Sequence, residues 1–228
     1  MARHSRLSVL TTMIASGLVP IFYNEDVDTA EKIVRACLQG GVRCIEFTNR
    51  GDRAHQVFAQ LITRFADEPG LILGVGTIMD APTAALYIQL GADFVVGPVL
   101  NEQVARLCNR RKIPYIPGCG TVSEISQAEE LGVEICKVFP GRQVGGPDFV
   151  KAVRGPMPWV RLCPTGGVAP TEDNIRAWFE AGVAGVGMGS KLIVKDLVAA
   201  GDFPAITEKC QQVLGWIQAV RHEQNFIL

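Results

Sequence analysis

Short apolar segments alternate with longer amphipathic segments along the chain. The apolar segments have the length and residue types of β-strands, whereas apolar positions in the longer segments recur every three or four residues. The predicted strands span residues 18–23, 43–48, 71–76, 93–98, 115–118, 134–140, 159–167 and 184–190. Helical patterns between them include residues 28–40, 81–91, 124–132 and 172–182. This alternation predicts parallel βαβ units.

The number of these units and the chain length favour one α/β fold. Eight strands within 228 residues predict a (β/α)8 TIM barrel. Because no shift in composition and no Pro- or Ser-rich linker divides the sequence, we expect residues 1–228 to form a single barrel domain. A helical pattern over residues 203–223 predicts a C-terminal helix that completes the barrel wall.

The N-terminal segment has two interpretations. A basic start, MARHSR, precedes an apolar run, as in a signal peptide. Threonine and serine interrupt that run, however, and its apolar residues recur at helical spacing. These residues are Leu7, Leu10, Ile14 and Leu18. We therefore predict an amphipathic cap helix, and no apolar stretch reaches the roughly 20 residues that span a bilayer.

A weak internal repeat relates four helix–strand junctions. In each, a glycine suited to ending a helix precedes a strand. The glycines are Gly41, Gly91, Gly132 and Gly182. The residues five positions further on are Glu46, Val96, Lys137 and Gly187. Because side chains alternate across a strand, equal offsets predict that Glu46 and Lys137 face the same way. If both face inward, they meet at the carboxyl ends of the strands, where the active sites of this fold lie.

Lys137 is out of place in its segment, EICKVFP, which otherwise reads as a buried strand. An ammonium group in an apolar pocket loses solvation, which favours the neutral amine. A neutral amine can attack a ketone to form a Schiff base, and the protonated imine serves as an electron sink. Glu46 could carry the protons of such a reaction. The alternative is that Lys137 points outward among the helices, with a glutamate as its ion-pair partner.

Composition and charge restrict the function. Apolar residues make up 48% and charged residues 20% of the chain, as in ordinary soluble globular proteins. A net charge of −1 gives no reason to expect a nucleic acid or a membrane as partner. The seven cysteines form no CxxC pair and are interpreted as reduced core residues of a cytoplasmic protein. The three histidines are not at metal-ligand spacing, so no metal site is predicted.

Further polar and glycine-rich groups stand at strand ends. Arg50 could bind a carboxylate or lie solvated in a loop. Thr77 could bind substrate or cap the next helix, and capping is the better explanation. The glycine-rich segments CPTGG (163–167) and GMGS (187–190) end the seventh and eighth strands, where barrels often bind phosphate. They could equally be tight turns.

Six motifs in order resemble those of one known family. They are VPIF (19–22), GGVRCIEFTNR (40–50), GVGT (74–77), IPGCGTVSE (116–124), KVFP (137–140) and RLCPTGGV (161–168). Together they resemble the bacterial 2-keto-3-deoxy-6-phosphogluconate / 4-hydroxy-2-oxoglutarate aldolases, the class I aldolases of the Entner–Doudoroff type. The resemblance runs from the first predicted strand to the eighth.

The resemblance implies a fold, a reaction and roles for individual residues. It implies a (β/α)8 barrel, a homotrimer, and neither metal nor organic cofactor. The implied reaction cleaves a 2-keto-3-deoxy-6-phospho sugar acid reversibly to pyruvate and a phosphorylated aldehyde, and 4-hydroxy-2-oxoglutarate is a further candidate substrate. Lys137 resembles the Schiff-base lysine and Glu46 the proton-transfer residue. The substrate-binding residues implied are Arg50, Thr77 and Thr165 for the pyruvyl end, Gly166, Gly167, Gly189 and Ser190 for phosphate, and Pro98 with a looser equivalence.

Three departures from the family pattern concern the distal end of the substrate. Asn49 adds a polar group beside Arg50. Arg142 and Lys191 add positive charge, which favours an anionic substrate, but both could equally be solvated surface residues. These departures leave three properties of the substrate open: which sugar acid it is, whether it is phosphorylated, and its configuration at C4. Two other functions also stay open: a phosphate-binding isomerase or synthase without imine chemistry, and a non-catalytic barrel that binds a metabolite.

Overall fold

The computed structural model describes residues 2–224 as alternating strands and helices. Its strands are β1 (Leu18–Phe22), β2 (Cys44–Thr48), β3 (Ile72–Gly76), β4 (Val95–Val96), β5 (Tyr115–Ile116), β6 (Gly118–Cys119), β7 (Cys136–Val138), β8 (Leu162–Pro164) and β9 (Val186–Met188). Its helices are α1 (Arg6–Ser16), α2 (Val27–Gln39), α3 (Ala54–Arg64), α4 (Ala81–Leu90), α5 (Glu102–Arg111), α6 (Val122–Glu130), α7 (Gly146–Arg154), α8 (Glu172–Glu180), α9 (Lys195–Ala200) and α10 (Phe203–Glu223). The fold is therefore α/β, and each predicted strand contains at least one of these strands.

All strand pairs are parallel and form two sheets. One sheet has the order β5-β4-β3-β2-β1-β9 and the other β6-β7-β8. Pro117 alone separates β5 from β6, and a single bridge pairs Thr165 after β8 with Gly187 in β9. Every residue of the strands is buried, as is typical of parallel sheets covered by helices.

Two apolar cores lie on the two faces of these sheets. The larger core fills the space between the sheets and the surrounding helices, and α10 packs against α2 and α8. The smaller core gathers residues of α1 and the inner faces of both sheets. Its members include Val19, Cys44, Ile72, Val96, Ile116 and Cys163. Residues from so many strands can meet only because the sheets curve around them.

Helix α1 closes one end of the inner core, as the predicted cap helix would. Ser5 accepts a hydrogen bond from the Ser8 backbone N–H at its start, and Gly17 ends it at a φ of 72°. The buried face differs from the prediction. Leu7 is 75% exposed, because it lies in the first turn beyond the edge of the core. The face that packs inward consists of Val9, Leu10 and Met13.

The four repeat glycines occupy the conformation that the sequence pattern predicts. Gly41, Gly91, Gly132 and Gly182 have φ angles between 80° and 106°, which residues with a Cβ rarely adopt. Each of these glycines follows a helix and turns the chain into the next strand segment. The four helix–strand junctions therefore share the same backbone conformation at the glycine.

The other compositional predictions concern cysteines and membrane helices. All seven cysteines are free and buried, as predicted. Within residues 2–224, no helix combines the length and apolar character that crossing a bilayer requires.

Candidate functional site

Lys137 and Glu46 line one small cavity inside the inner core. Lys137 lies in the middle of β7 and is 7% exposed, and Glu46 lies in the middle of β2 and is 3% exposed. Val96 and Gly187, the other two repeat positions, line the same cavity. Equal offsets in the repeat therefore do correspond to equal facing, and the alternative in which Lys137 points outward among the helices is wrong.

The surroundings of Lys137 are mainly apolar. Its Nζ atom lies 5.0 Å from the centroid of the Phe139 ring, a distance suited to a cation–π contact. Ile116 and Cys163 line the cavity beside it. Burial raises the pKa of the Cys163 thiol to about 12, so this cysteine stays protonated at neutral pH. The Lys137 backbone N–H donates to the Pro117 carbonyl, whereas its side chain forms no hydrogen bond or salt bridge with any of residues 2–224.

Glu46 is held by the packing of the neighbouring strand. A Cβ atom added at Gly76 in β3 would overlap the Glu46 carboxylate, so the absence of a side chain there makes room for it. Burial raises the pKa of Glu46, and the nearby charges of Lys137 and Arg50 offset part of that increase. A carboxyl group with a raised pKa can both accept and return a proton closer to neutral pH.

A larger cavity of about 510 Å³ adjoins the first at the carboxyl ends of the strands. Thr165 and Gly187 line both cavities, so the two cavities lie next to each other. The larger cavity is also lined by five more of the predicted site residues: Arg50, Gly166, Gly167, Gly189 and Ser190. Thus eight of the ten predicted site residues, with Lys137 and Glu46 included, line these two neighbouring cavities.

The glycine-rich segments after β8 and in and after β9 present backbone donors to the larger cavity. Gly166 and Gly167 have φ angles of 92° and 82°. The N–H groups of these two glycines, and those of Gly189 and Ser190, donate to no other residue in the described range 2–224. Several unpaired N–H groups on one concave surface are a typical binding site for an oxyanion.

Thr77 and Pro98 are the two predicted site residues that line neither cavity. Both are half-buried just past strand ends. Thr77 has a φ of 63°, a strained value for a threonine. The capping explanation for Thr77 is wrong, because the Asp80 side chain caps α4 by accepting from the Thr83 N–H.

Two departures from the family pattern lie away from the cavities. Asn49 accepts a hydrogen bond of 2.9 Å from the Tyr87 hydroxyl, so its side chain faces α4 rather than the substrate space. Arg142 is exposed and packs its Cβ close to Gly167 without lining either cavity. Lys191, the third departure, does line the larger cavity.

The structure adds residues that the sequence analysis did not select. Thr48 is buried in β2 and lines the larger cavity, two positions after Glu46 on the same face of the strand, so the alternation of side chains could have identified it. Tyr23, Asn24 and Lys195 also line that cavity. Lys195 begins α9, and no motif indicated it. Among residues 2–224, no group of His, Cys, Asp and Glu side chains could hold a metal ion.

Comparison with known proteins identifies the family. Residues 9–209 match the family of KDPG and KHG aldolases, where KDPG is 2-keto-3-deoxy-6-phosphogluconate and KHG is 4-hydroxy-2-oxoglutarate. The 2-dehydro-3-deoxy-phosphogluconate aldolase of Pseudoalteromonas atlantica is 31% identical over 94% of this chain and 97% of its own length. The KHG/KDPG aldolase of Escherichia coli K12 is 34% identical over 91% of this chain and 93% of its own.

A solved structure agrees with these sequence matches. This structure is the KDPG aldolase of Legionella pneumophila, captured with pyruvate as a covalent carbinolamine intermediate. The two chains superpose with a TM-score of 0.82 and are 28% identical, and the match covers 90% of this chain and 97% of the Legionella chain. The chain belongs to the KDPG and KHG aldolase family. It is an aldolase and therefore a lyase.

Proposed function

We propose that this chain is a class I aldolase that reversibly cleaves 2-keto-3-deoxy-6-phosphogluconate to pyruvate and glyceraldehyde 3-phosphate. One observation carries the proposal: a buried lysine and a buried glutamate line one mainly apolar cavity that lies next to a larger, cationic one. We expect the ketone of a sugar acid to bind where the two cavities meet, within reach of the amine, and the rest of the substrate to extend into the larger cavity.

Cleavage begins with attack of Lys137 Nζ on the C2 ketone of the substrate. Loss of water from the resulting carbinolamine gives a protonated imine. Glu46, through a water molecule, removes the proton of the C4 hydroxyl, the C3–C4 bond breaks, and its electrons form an enamine with the imine carbon. The aldehyde leaves with its phosphate intact.

Release of pyruvate completes the cycle. Glu46 returns its proton to C3 of the enamine, and water then hydrolyses the imine. Pyruvate departs, and both the Lys137 amine and the Glu46 carboxylate are restored. Because the imine itself serves as the electron sink, this reaction requires neither a metal ion nor an organic cofactor.

The remaining site residues divide between the two ends of the substrate. Arg50 suits the carboxylate of the pyruvyl end because it is cationic, and Thr165 suits a neighbouring hydroxyl group because it lines both cavities. The proposed phosphate contacts are the backbone N–H groups of Gly166, Gly167, Gly189 and Ser190. Thr77 and Pro98 have support from the family resemblance and from their places at strand ends.

We also propose that 4-hydroxy-2-oxoglutarate is a substrate. It shares the 2-keto and 4-hydroxy groups on which Lys137 and Glu46 would act. The Escherichia coli relative carries both substrates in its name, KHG/KDPG aldolase. Because 4-hydroxy-2-oxoglutarate is a shorter molecule without a phosphate, it would leave the glycine-rich cradle unfilled. We therefore expect it to bind more weakly than the phosphorylated acid.

We infer a closed (β/α)8 barrel in one domain from the two edges where the sheets meet. Residues 115–119 are interrupted only at Pro117 and pair with β4 on one side and β7 on the other. The bridge from Thr165 to Gly187 links the other two edges. Counting β5 and β6 as one strand gives the eight strands of the barrel.

A homotrimer in the cytoplasm is the proposed assembly and location. Met79, Val99 and Val122 follow neighbouring strands at the same end of the sheets and are 50%, 45% and 46% exposed. Large apolar side chains exposed together are typical of a protein interface, and a second copy of the chain would cover them. Seven free, buried cysteines suit a reducing compartment.

Trapping of the imine tests the proposed chemistry. The protein is incubated with pyruvate and borohydride, digested, and analysed by peptide mass spectrometry. We expect a reduced pyruvyl adduct on Lys137 and none in the matched variant Lys137→Met. An adduct on another lysine, or no adduct with active wild-type protein, would contradict the role assigned to Lys137.

A further inference from the structure

The larger cavity carries an excess of positive charge. Arg50, Lys191 and Lys195 line it, and its lining contains no aspartate or glutamate. Within the described residues, neither lysine forms an ion pair with an acidic side chain. Three cations on one concave surface contrast with the net charge of −1 for the whole chain. A cavity of this kind concentrates anionic ligands.

The three cations fall into two groups along the cavity. Arg50 follows β2, whereas Lys191 and Lys195 follow β9, and β1 lies between these strands. Two strand spacings correspond to about 10 Å between the points where the chains leave the sheet. A six-carbon acid with a carboxylate at one end and a phosphate at the other has anionic groups separated by about this distance.

The two lysines stand beside the glycine-rich cradle. Lys191 directly follows Ser190, and Lys195 lines the same cavity from the start of α9. The cradle itself supplies only neutral N–H groups, which bind many oxyanions. Two ammonium groups add the charge that favours a phosphate dianion over a neutral hydroxyl.

We propose that Lys191 and Lys195 bind the terminal phosphate of the substrate and determine the preference for phosphorylated over unphosphorylated 2-keto-3-deoxy acids. This inference rests on the proposed aldolase function and assigns its specificity to two residues. Both lysines are exposed, so salt screens their attraction for phosphate, and KM for the phosphorylated acid rises with ionic strength.

Kinetics on matched substrates test the proposal. Pyruvate release is measured from 2-keto-3-deoxy-6-phosphogluconate and from 2-keto-3-deoxygluconate, which lacks the phosphate. We expect Lys191→Met and Lys195→Met each to lower kcat/KM for the phosphorylated acid about 10-fold, and the double variant about 100-fold, mainly through KM. For the unphosphorylated acid we expect kcat/KM to stay within about 2-fold of wild type, because the lysines have no charged partner there.

Two controls separate binding of phosphate from a general effect of charge. Lys151→Met removes one positive charge from α7, outside both cavities, and leaves both substrates unaffected. Lys191→Arg keeps the charge and retains most of the preference. Equal losses for both substrates, or an unchanged preference in the double variant, would overturn the proposal.

Direct binding distinguishes this proposal from the aldolase function itself. Glycerol 3-phosphate carries the phosphate but cannot form an imine, so calorimetry with it measures phosphate binding independently of the imine chemistry. We expect the double variant to bind it at least about 10-fold more weakly than wild type while pyruvate still labels Lys137. Unchanged binding of glycerol 3-phosphate refutes the role of the lysines, whereas loss of labelling in wild type refutes the imine chemistry.

Discussion

The carboxylate of Glu46 lies against the backbone of Gly76 on the neighbouring strand. A Cβ atom at position 76 would overlap the Glu46 carboxylate, and β2 and β3 are paired along their whole length, from Cys44 with Ile72 to Thr48 with Gly76. The glycine therefore makes the space in which the proposed proton-transfer group sits. This contact ties the position of a functional group to the absence of a side chain one strand away.

We expect Gly76→Ala to displace Glu46 and lower kcat by at least about 10-fold, because proton transfer depends on the position of the group. Imine formation by Lys137 should survive, so borohydride should still trap pyruvate. The matched control is Gly215→Ala in α10, where an added Cβ meets nothing within 4 Å and we expect full activity. Wild-type kcat in Gly76→Ala would show that the contact has no functional role.

Lys137→Arg separates the aldolase from a phosphate-binding isomerase on the same fold. The guanidinium group keeps the charge but stays protonated, so it cannot attack a ketone. We expect pyruvate release to fall by at least about 1,000-fold, since the covalent route is lost. Steady-state assays with the purified variant measure this, and appreciable turnover would favour a mechanism without an imine.

The pH dependence of kcat should report the ionisation of the Glu46 carboxyl group. Its pKa is raised by burial above the ordinary value of 4.5, and the carboxylate is the form that accepts the proton from the C4 hydroxyl. Activity should therefore fall as the pH drops through the raised pKa, so the acidic limb of the profile lies above 4.5. The charge of Arg50 lowers this pKa, so Arg50→Met should move the limb to higher pH. If the acidic limb lies at the same pH in Arg50→Met as in wild type, a group other than Glu46 controls it.

Asp93 offers a test of stability remote from catalysis. It is fully buried, and its carboxylate accepts hydrogen bonds from the backbone N–H groups of Arg3, His4 and Leu73. Asp93→Ala leaves these three donors without their acceptor, including the buried Leu73 N–H, and we expect the free energy of unfolding to fall by about 2–4 kcal/mol. Denaturant titration measures the loss. Asp93→Asn, which keeps one acceptor oxygen, should lose less, and equal losses would contradict this explanation.

The proposed trimer depends on the apolar surface formed by Met79, Val99 and Val122. A buried carboxylate without a partner is costly, so Val99→Asp should dissociate the assembly. Light scattering on the purified protein gives the mass directly. The control is Leu86→Asp, since Leu86 is a similarly exposed apolar residue on α4, and it should leave the mass unchanged. A wild-type protein that is monomeric at high concentration would refute the trimer.

Local patterns predicted much of this protein because their physical cause is local. The segment 203–223 is a helix with the predicted limits, since its amphipathic repeat lies within the segment and its capping residue, Asp202, directly precedes it. Glu46 and Lys137 share a cavity because alternation along a strand fixes facing once the strand begins at an equivalent glycine. The sequence pattern therefore determined the order of strands and helices, the burial of the cysteines and the common facing of Glu46 and Lys137.

Other features depended on residues far apart in the chain. Asn49 turns away from the substrate space because Tyr87 of α4 offers it a hydrogen bond, and Leu7 stays exposed because the inner core ends before it. Lys195 lines the larger cavity because α9 begins beside it, and no sequence motif indicated this position. Such contacts are decided by how curved sheets and helices pack, since the choice between two orientations of a side chain depends on partners that only the folded chain brings near. The sequence alone determined which chemistry the chain carries, and the tertiary structure decided which charges surround it.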